Sequence, residues 1–130
     1  MVECLIVSCP HVAVSVDSMK SADCFFCDVL GLKKSKEFVV SEKLCFDIFG
    51  ISEQVQVVVY ECDSISFEVF ISKQSFASGF SHVCLGVSDI SELKGRVENY
   101  GFEFKVVQKK EKELYFVSDK SGNLFEIKQL

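Results

Sequence analysis

The chain has 130 residues, of which 48% are hydrophobic, and this size and composition predict one domain with a buried core. Its 14 basic and 19 acidic residues give a net charge of −5, and no basic stripe is present, so we expect no nucleic-acid partner. The longest apolar runs are far shorter than the roughly 20 residues that span a membrane, so we expect no membrane segment.

Cysteine usage and the first residues predict a cytoplasmic protein. The seven cysteines are an odd number, and a chain of this length folds without disulfides, so free thiols in a reducing compartment are the simpler interpretation. The start Met1-Val-Glu-Cys4 has neither the basic residues nor the small-residue cleavage site of a signal peptide.

The first half predicts the order strand, helix, strand, inserted helix, strand, strand. Apolar and small residues alternate over 9–16, as in a half-buried strand. Asp17 or Ser18 can cap a helix that ends at Gly31. The later elements of this half are a strand near 33–40, a short amphipathic helix over 41–49 and strands at 55–61 and 65–71.

The second half repeats this order without the inserted helix. Its elements are a strand at 81–87, a helix at 90–100 and strands at 103–108, 113–118 and 123–129. A polar stretch separates the halves. We therefore predict a single domain over 1–130, with module one at about 5–71, a linker at 72–80 and module two at 81–130.

A repeated histidine and glutamate mark corresponding strands of the two halves. The segment His-Val-Ala-Val-Ser-Val-Asp at 11–17 returns as His-Val-Cys-Leu-Gly-Val-Ser-Asp at 82–89, a shift of 71 positions (82 − 11). A late strand in each half then carries a glutamate, Glu68 or Glu126. Side chains alternate along a strand, so the valines of both first strands should pack under the helices. The opposite, concave face should carry His11, Ala13, Ser15, Glu68, His82, Cys84, Gly86 and Glu126.

These residues also have ordinary structural interpretations. A single histidine in a strand is more often a hydrogen-bonded core or surface residue than a metal ligand, and a strand glutamate is usually the solvated position. The chain has only two histidines, however, and both occupy the same place in the repeat, which favours metal binding. Cys24-Phe-Phe-Cys27 lies in a predicted helix without a second cysteine pair at zinc-site spacing, so it predicts packing residues.

Two further segments resemble the vicinal oxygen chelate superfamily, which contains glyoxalase I, methylmalonyl-CoA epimerase, extradiol dioxygenases and bleomycin-resistance proteins. Residues 21–32, SADCFFCDVLGL, are similar to its first-helix signature, an aromatic pair before Val-Leu-Gly. Residues 116–127, FVSDKSGNLFEI, are similar to its terminal hairpin, although Lys120 and Ser121 depart from the usual Asp-Pro-Asp-Gly-Asn. The resemblance covers essentially the whole chain. It implies an α+β fold of two βαβββ modules that form a curved, cup-shaped mixed sheet with helices on the convex side.

The resemblance also implies a metal site and a reaction. Its ligands would be His11, Glu68, His82 and Glu126, holding one divalent ion per site: Ni²⁺, Zn²⁺, Co²⁺, Mn²⁺ or Fe²⁺. The implied activity is that of a glyoxalase I-like lyase or isomerase, acting on a small substrate with two vicinal oxygens through a metal-stabilised enediolate. Glu126 would be the principal base, and Glu68 would serve the opposite face of the substrate. The resemblance further implies a homodimer.

Departures from the family pattern leave two alternatives open: an acyl-thioester epimerase, and a non-catalytic, resistance-type module that binds small molecules. Epimerases usually have glutamine in place of Glu68, and resistance proteins lack the ligand set. Glutathione-dependent members place one arginine where this chain has Ser15 and another where it has only residues 76–80, Phe-Ala-Ser-Gly-Phe. Lys109, Lys110 and Lys112 predict either an anion-binding hairpin or a solvated charged turn.

Overall fold

Two four-stranded mixed sheets follow each other along the chain in the computed structural model, which describes residues 4–6, 8–74 and 81–130. Each sheet has the order first, fourth, third and second strand of its half. The predicted α+β fold of two βαβββ modules is therefore confirmed. Part of the predicted linker, 75–80, lies outside the described residues.

The strands of the first half are β1 (Val12–Val16), β2 (Lys33–Val40), β3 (Val55–Glu61) and β4 (Ser66–Ile71). β1 pairs with β4 in parallel, and β3 pairs antiparallel with β4 and β2. The first helix begins as α1 (Met19–Ala22), where the Ser18 hydroxyl accepts from the Ser21 amide, and continues as a π-helix over Asp23–Val29. The N-cap prediction is confirmed, but the π-helical part was not predicted.

The inserted helix is α2 (Glu42–Phe49), which begins after the N-cap Ser41 and ends at Gly50. Gly50 has a φ of 73°, a left-handed conformation that glycine adopts without a steric penalty. Unlike α1, α2 packs on the face of the first sheet that carries Glu68. There its Cys45 joins a small buried cluster with Val40, Val55, Val57 and Phe70.

The second half consists of β5 (Val83–Val87), α3 (Ile90–Asn99), β6 (Glu103–Lys109), β7 (Lys112–Ser118) and β8 (Leu124–Gln129). β5 pairs with β8 in parallel, and β7 pairs antiparallel with β6 and β8. The Asp89 side chain accepts from the Glu92 backbone amide and so caps the start of α3. In the described part of the chain, every helix is too short or too polar to cross a membrane.

One cluster of buried side chains draws on both halves. Phe125 of β8 contacts Phe25, Phe26 and Phe67 of the first half, at ring-centre distances of 5.1, 6.3 and 6.0 Å. The predicted alternation of the first strands is confirmed, because their bulky residues all face this cluster: Val12, Val14, Val16, Val83, Leu85 and Val87.

Candidate metal centre

Strand register places each predicted histidine beside the glutamate of its own half. Ala13 lies opposite Glu68 in the β1–β4 pair, and Cys84 lies opposite Glu126 in the β5–β8 pair. Opposed residues in paired strands point to the same side of the sheet. A residue two positions earlier on the same strand points to that side as well. The side chains of His11 and Glu68 therefore share one face, as do those of His82 and Glu126.

The distances within the two pairs are nearly equal. His11 Nε2 lies 3.5 Å from Glu68 Oε1, and His82 Nε2 lies 3.6 Å from Glu126 Oε1. Two ligands at bond lengths of roughly 2.0–2.2 Å from one ion are about 3–3.5 Å apart. The histidines are 46% and 43% exposed, so an ion can reach both pairs from solvent. Each pair therefore fits one half of a four-ligand site.

The two pairs stand at separate places within one chain. Asn123, which precedes β8, donates a hydrogen bond from Nδ2 to the Ser15 carbonyl at 2.8 Å, and His82 lines the same cavity as Ser15. A strand rises about 3.3 Å per residue, so this contact lies about 13 Å along β1 from His11. Among the described residues, no three His, Cys, Asp or Glu side chains converge where they could hold a metal ion.

A cavity of about 350 Å³ lies between the halves and is bordered by His82; we call it the inter-half cavity. Ala13 of β1, Cys45 and Phe49 of α2, and Phe70 of β4 line it. The sequence analysis did not predict that α2 lines this cavity. The signal was visible, because the apolar residues of α2 lie around more than one side of the helix.

The predicted concave surface is not open along its whole length. A Cβ added to Gly86 would lie 2.6 Å from Leu130 Cδ1, so the Leu130 side chain occupies the space above this glycine. Small residues leave room beside a strand, but a distant apolar side chain fills it here. Gly86 therefore lies on the predicted face, but it is a packing position.

The lysine cluster borders the second histidine–glutamate pair. Lys109, Lys110 and Lys112 line a larger cavity of about 1030 Å³ together with His82 and Glu126; we call it the hairpin cavity. Lys109 and Lys112 face each other across the β6–β7 turn. All three lysines are exposed, which fits both the anion-binding hairpin and the solvated charged turn.

A hydrogen-bonded group on the helix side joins the π-helix to β2 and β3. The Tyr60 hydroxyl donates to Asp23 Oδ1 at 2.7 Å, and Lys34 Nζ lies 2.9 Å from the same oxygen. Burial raises the pKa of Asp23, but these hydrogen bonds and the Lys34 charge outweigh it and leave that pKa below its usual value. Burial, with Asp23 and Asp28 nearby, raises the pKa of Cys27, which disfavours a reactive thiolate.

The chain belongs to the Glyoxalase/Bleomycin resistance protein/Dioxygenase superfamily, whose family model matches residues 10–117. The vicinal oxygen chelate resemblance is thereby confirmed. No curated protein matches the chain significantly.

Solved structures share the fold at low sequence identity. A glyoxalase family protein from Bacillus cereus is 20% identical, with 99% of this chain and 97% of that one covered and a TM-score of 0.71. The fosfomycin resistance protein FosX from Listeria monocytogenes is 11% identical, with 97% and 95% covered and a TM-score of 0.73. A lactoylglutathione lyase from Agrobacterium tumefaciens is 17% identical, with 97% and 96% covered and a TM-score of 0.64.

Proposed function

We propose that this chain is a metal-dependent lyase or isomerase acting on a small molecule with two vicinal oxygens. The observation that carries the proposal is the histidine–glutamate pair in each half, with Nε2–Oε1 distances of 3.5 and 3.6 Å. Two imidazoles and two carboxylates suit Ni²⁺, Zn²⁺, Co²⁺, Mn²⁺ or Fe²⁺. Membership of the superfamily, and a fold shared with a lactoylglutathione lyase, support this class of activity.

His11, Glu68, His82 and Glu126 would hold the ion. When bound, the ion supplies positive charge where negative charge develops on the substrate oxygens. Glu126 accepts the proton from the carbon next to the substrate carbonyl, and Glu68 serves the opposite face of the substrate. Glu126 is the more buried of the two, at 19% against 25% exposed.

We propose further that the protein is a cytoplasmic homodimer whose copies share their sites. Each half offers two ligands at metal-site spacing, and among the described residues of one chain no three such side chains converge on a common ion. In a twofold dimer, the first half of one copy and the second half of the other can complete two equivalent sites. The small-molecule substrate then binds between copies.

Metal content tests the ligand assignment. Protein purified without chelator should contain about one divalent ion per chain, and adding Ni²⁺, Zn²⁺, Mn²⁺ or Co²⁺ to stripped protein should raise its melting temperature by mass action. His11→Ala and His82→Ala should each lose this response. No metal by elemental analysis, with an unchanged melting temperature, would support the resistance-type binding module instead.

Mixing the two histidine variants tests the shared site. His11→Ala and His82→Ala chains, unfolded and refolded together at equal amounts, form mixed dimers in which one site keeps all four ligands. About a quarter of the wild-type metal sites should return, since about half the dimers are mixed and each has one intact site. If no metal sites return, the four ligands of one site do not come from two copies. The metal content of the wild-type protein then remains a separate test of the ligand set.

Two glutamine variants test the base. In the conversion of the methylglyoxal–thiol hemithioacetal, Glu126→Gln should fold normally and lose the proton-transfer step, because an amide cannot accept the proton. Glu68→Gln, which reproduces the ligand set usual in epimerases, should have a milder effect. Full activity in Glu126→Gln would show that another group is the base.

A further inference from the structure

Two cavities with different walls meet at His82. His82 lines both the inter-half cavity and the hairpin cavity, and Glu126 lines the hairpin cavity beside it. A molecule whose reacting carbon lies next to this pair can therefore extend in two directions. The chemistry of the two walls indicates what each end of that molecule should be.

The inter-half cavity presents an apolar wall. Phe49 and Phe70 meet edge to face at a ring-centre distance of 5.5 Å, and Ile51 and Val55 continue the wall. Pockets of at least about 300 Å³ with mainly apolar linings bind small organic groups. This cavity, at about 350 Å³, has the size for a short alkyl or aryl group.

Three polar residues of the inter-half cavity, Glu53, Ser72 and Asn123, have hydrogen-bond partners within the protein. Glu53 accepts a hydrogen bond from the Gln74 side chain at 3.0 Å, and the Ser72 hydroxyl accepts from the Gln74 amide at 3.1 Å. Asn123 donates to the Ser15 carbonyl, as described above. Because these groups are already engaged, the apolar side chains determine what the cavity binds.

The hairpin cavity concentrates positive charge in an acidic protein. Four lysines line it against three glutamates, whereas the whole chain has a net charge of −5. The lysines are Lys109, Lys110, Lys112 and Lys128, and the glutamates are Glu111, Glu113 and Glu126. Lysine ammonium groups bind carboxylates and phosphates as compact point charges. A local positive region in an otherwise negative surface also draws an anion to this cavity.

Building on the metal-dependent reaction proposed above, we propose that the substrate is an amphipathic acid. Its short apolar tail lies in the inter-half cavity, and its carboxylate or phosphate lies against the hairpin lysines. The vicinal oxygens are then held beside His82 and Glu126, between the two ends. The two cavities thus select a substrate with an apolar and an anionic end over a small compound that has only one of them.

Three probes separate the two ends of this substrate. Hexanoate has the tail and the anion, acetate has the anion alone, and 1-hexanol has the tail alone. Titrated into metal-free, full-length protein by calorimetry or ligand-observed NMR, hexanoate should bind at least about tenfold more tightly than either of the others. Equal binding of hexanoate and acetate, or of hexanoate and hexanol, would overturn the proposal.

Changing the size of the inter-half cavity tests the tail. Ala13→Leu places three more carbons in the cavity and should reduce hexanoate binding to the level of acetate, whereas Ala13→Ser should leave it unchanged. Phe49 is half-exposed at the rim of the cavity, so Phe49→Ala enlarges the cavity. This change should shift the binding preference from hexanoate to octanoate. The proposal fails if both Ala13→Leu and Phe49→Ala leave the chain-length preference of the wild-type protein intact.

Removing lysine charges tests the anionic end. The double change Lys109→Gln and Lys112→Gln should weaken hexanoate about tenfold and leave hexanol unchanged. Lys36→Gln, an exposed lysine of β2 outside both cavities, is the matched control and should change neither. An equal loss in Lys36→Gln would indicate a general charge effect and contradict the assigned anion site. These titrations need neither metal nor turnover, so their failure is distinguishable from failure of the metal and base assignments.

Discussion

The two halves of the molecule have the same strand order and the same histidine–glutamate pair, but different surroundings for that pair. In the first half, α2 packs on the face that carries Glu68 and brings Cys45 and Phe49 to the inter-half cavity. In the second half, a lysine-rich hairpin borders the corresponding glutamate, Glu126. A duplicated module can therefore keep its histidine–glutamate pair while one copy supplies apolar surface and the other supplies charge.

The halves also differ in the turn before the last strand. In the second half Asp119 is 6% exposed and accepts hydrogen bonds from the amides of Ser121 and Asn123 and from Asn123 Nδ2. Asn123 in turn donates to β1, so this turn ties the second half to the first. The corresponding turn of the first half has Asp63 exposed to solvent. The same turn position thus joins the halves in only one of its two copies.

The largest effect should come from the core that the halves share. Phe125→Ala removes the ring that contacts Phe25, Phe26 and Phe67, and it should lower the free energy of unfolding by about 3–5 kcal/mol. Urea denaturation followed by circular dichroism should show a single transition moved to lower urea. Phe38→Ala, at a ring 37% exposed on β2, is the control and should cost much less. Two separate transitions would show that the halves unfold independently and contradict a single domain.

A smaller effect should distinguish the two turns. Asp119→Asn replaces a carboxylate oxygen by an amide NH₂ that points at the donor Asn123 Nδ2, and it should cost about 1–2 kcal/mol of unfolding free energy. The same change at Asp63 should cost less than about 0.5 kcal/mol, because that side chain is exposed. Both values can be measured by urea denaturation. Equal costs at the two positions would contradict the distinction between the turns.

The smallest effect should be pH dependent and confined to the first half. The folded pKa of Asp23 lies below its usual value, so its charged form stabilises the fold above about pH 4, and this contribution is lost as the pH falls through the folded pKa. Asp23→Asn should therefore cost about 0.5–1 kcal/mol at pH 7, a value limited by solvent exposure, and progressively less as the pH falls below about 4. Asp28→Asn, at an exposed position of the same helix, is the control. A cost that stays constant from pH 7 to pH 3 would contradict the charge-based explanation.

Local sequence signals predicted the secondary structure closely. Ser18 caps the first helix where its side chain suggested, and Gly50 ends α2 with the positive φ that glycine tolerates. These signals succeed because capping and turn formation involve residues a few positions apart. The π-helix at 23–29 continues the first helix and was not predicted.

The sequence by itself also determined the composition of the candidate site, since the period-two alternation of strands places each histidine and its glutamate on one face. Only the tertiary structure decided how the two halves meet. Phe67 and Phe125 are in contact although 58 positions (125 − 67) separate them, and Leu130 fills the space above Gly86. Such contacts depend on the complementary shapes of distant side chains, which no local pattern encodes. For the same reason, only the folded chain shows that the lysine hairpin and an apolar cavity both border His82.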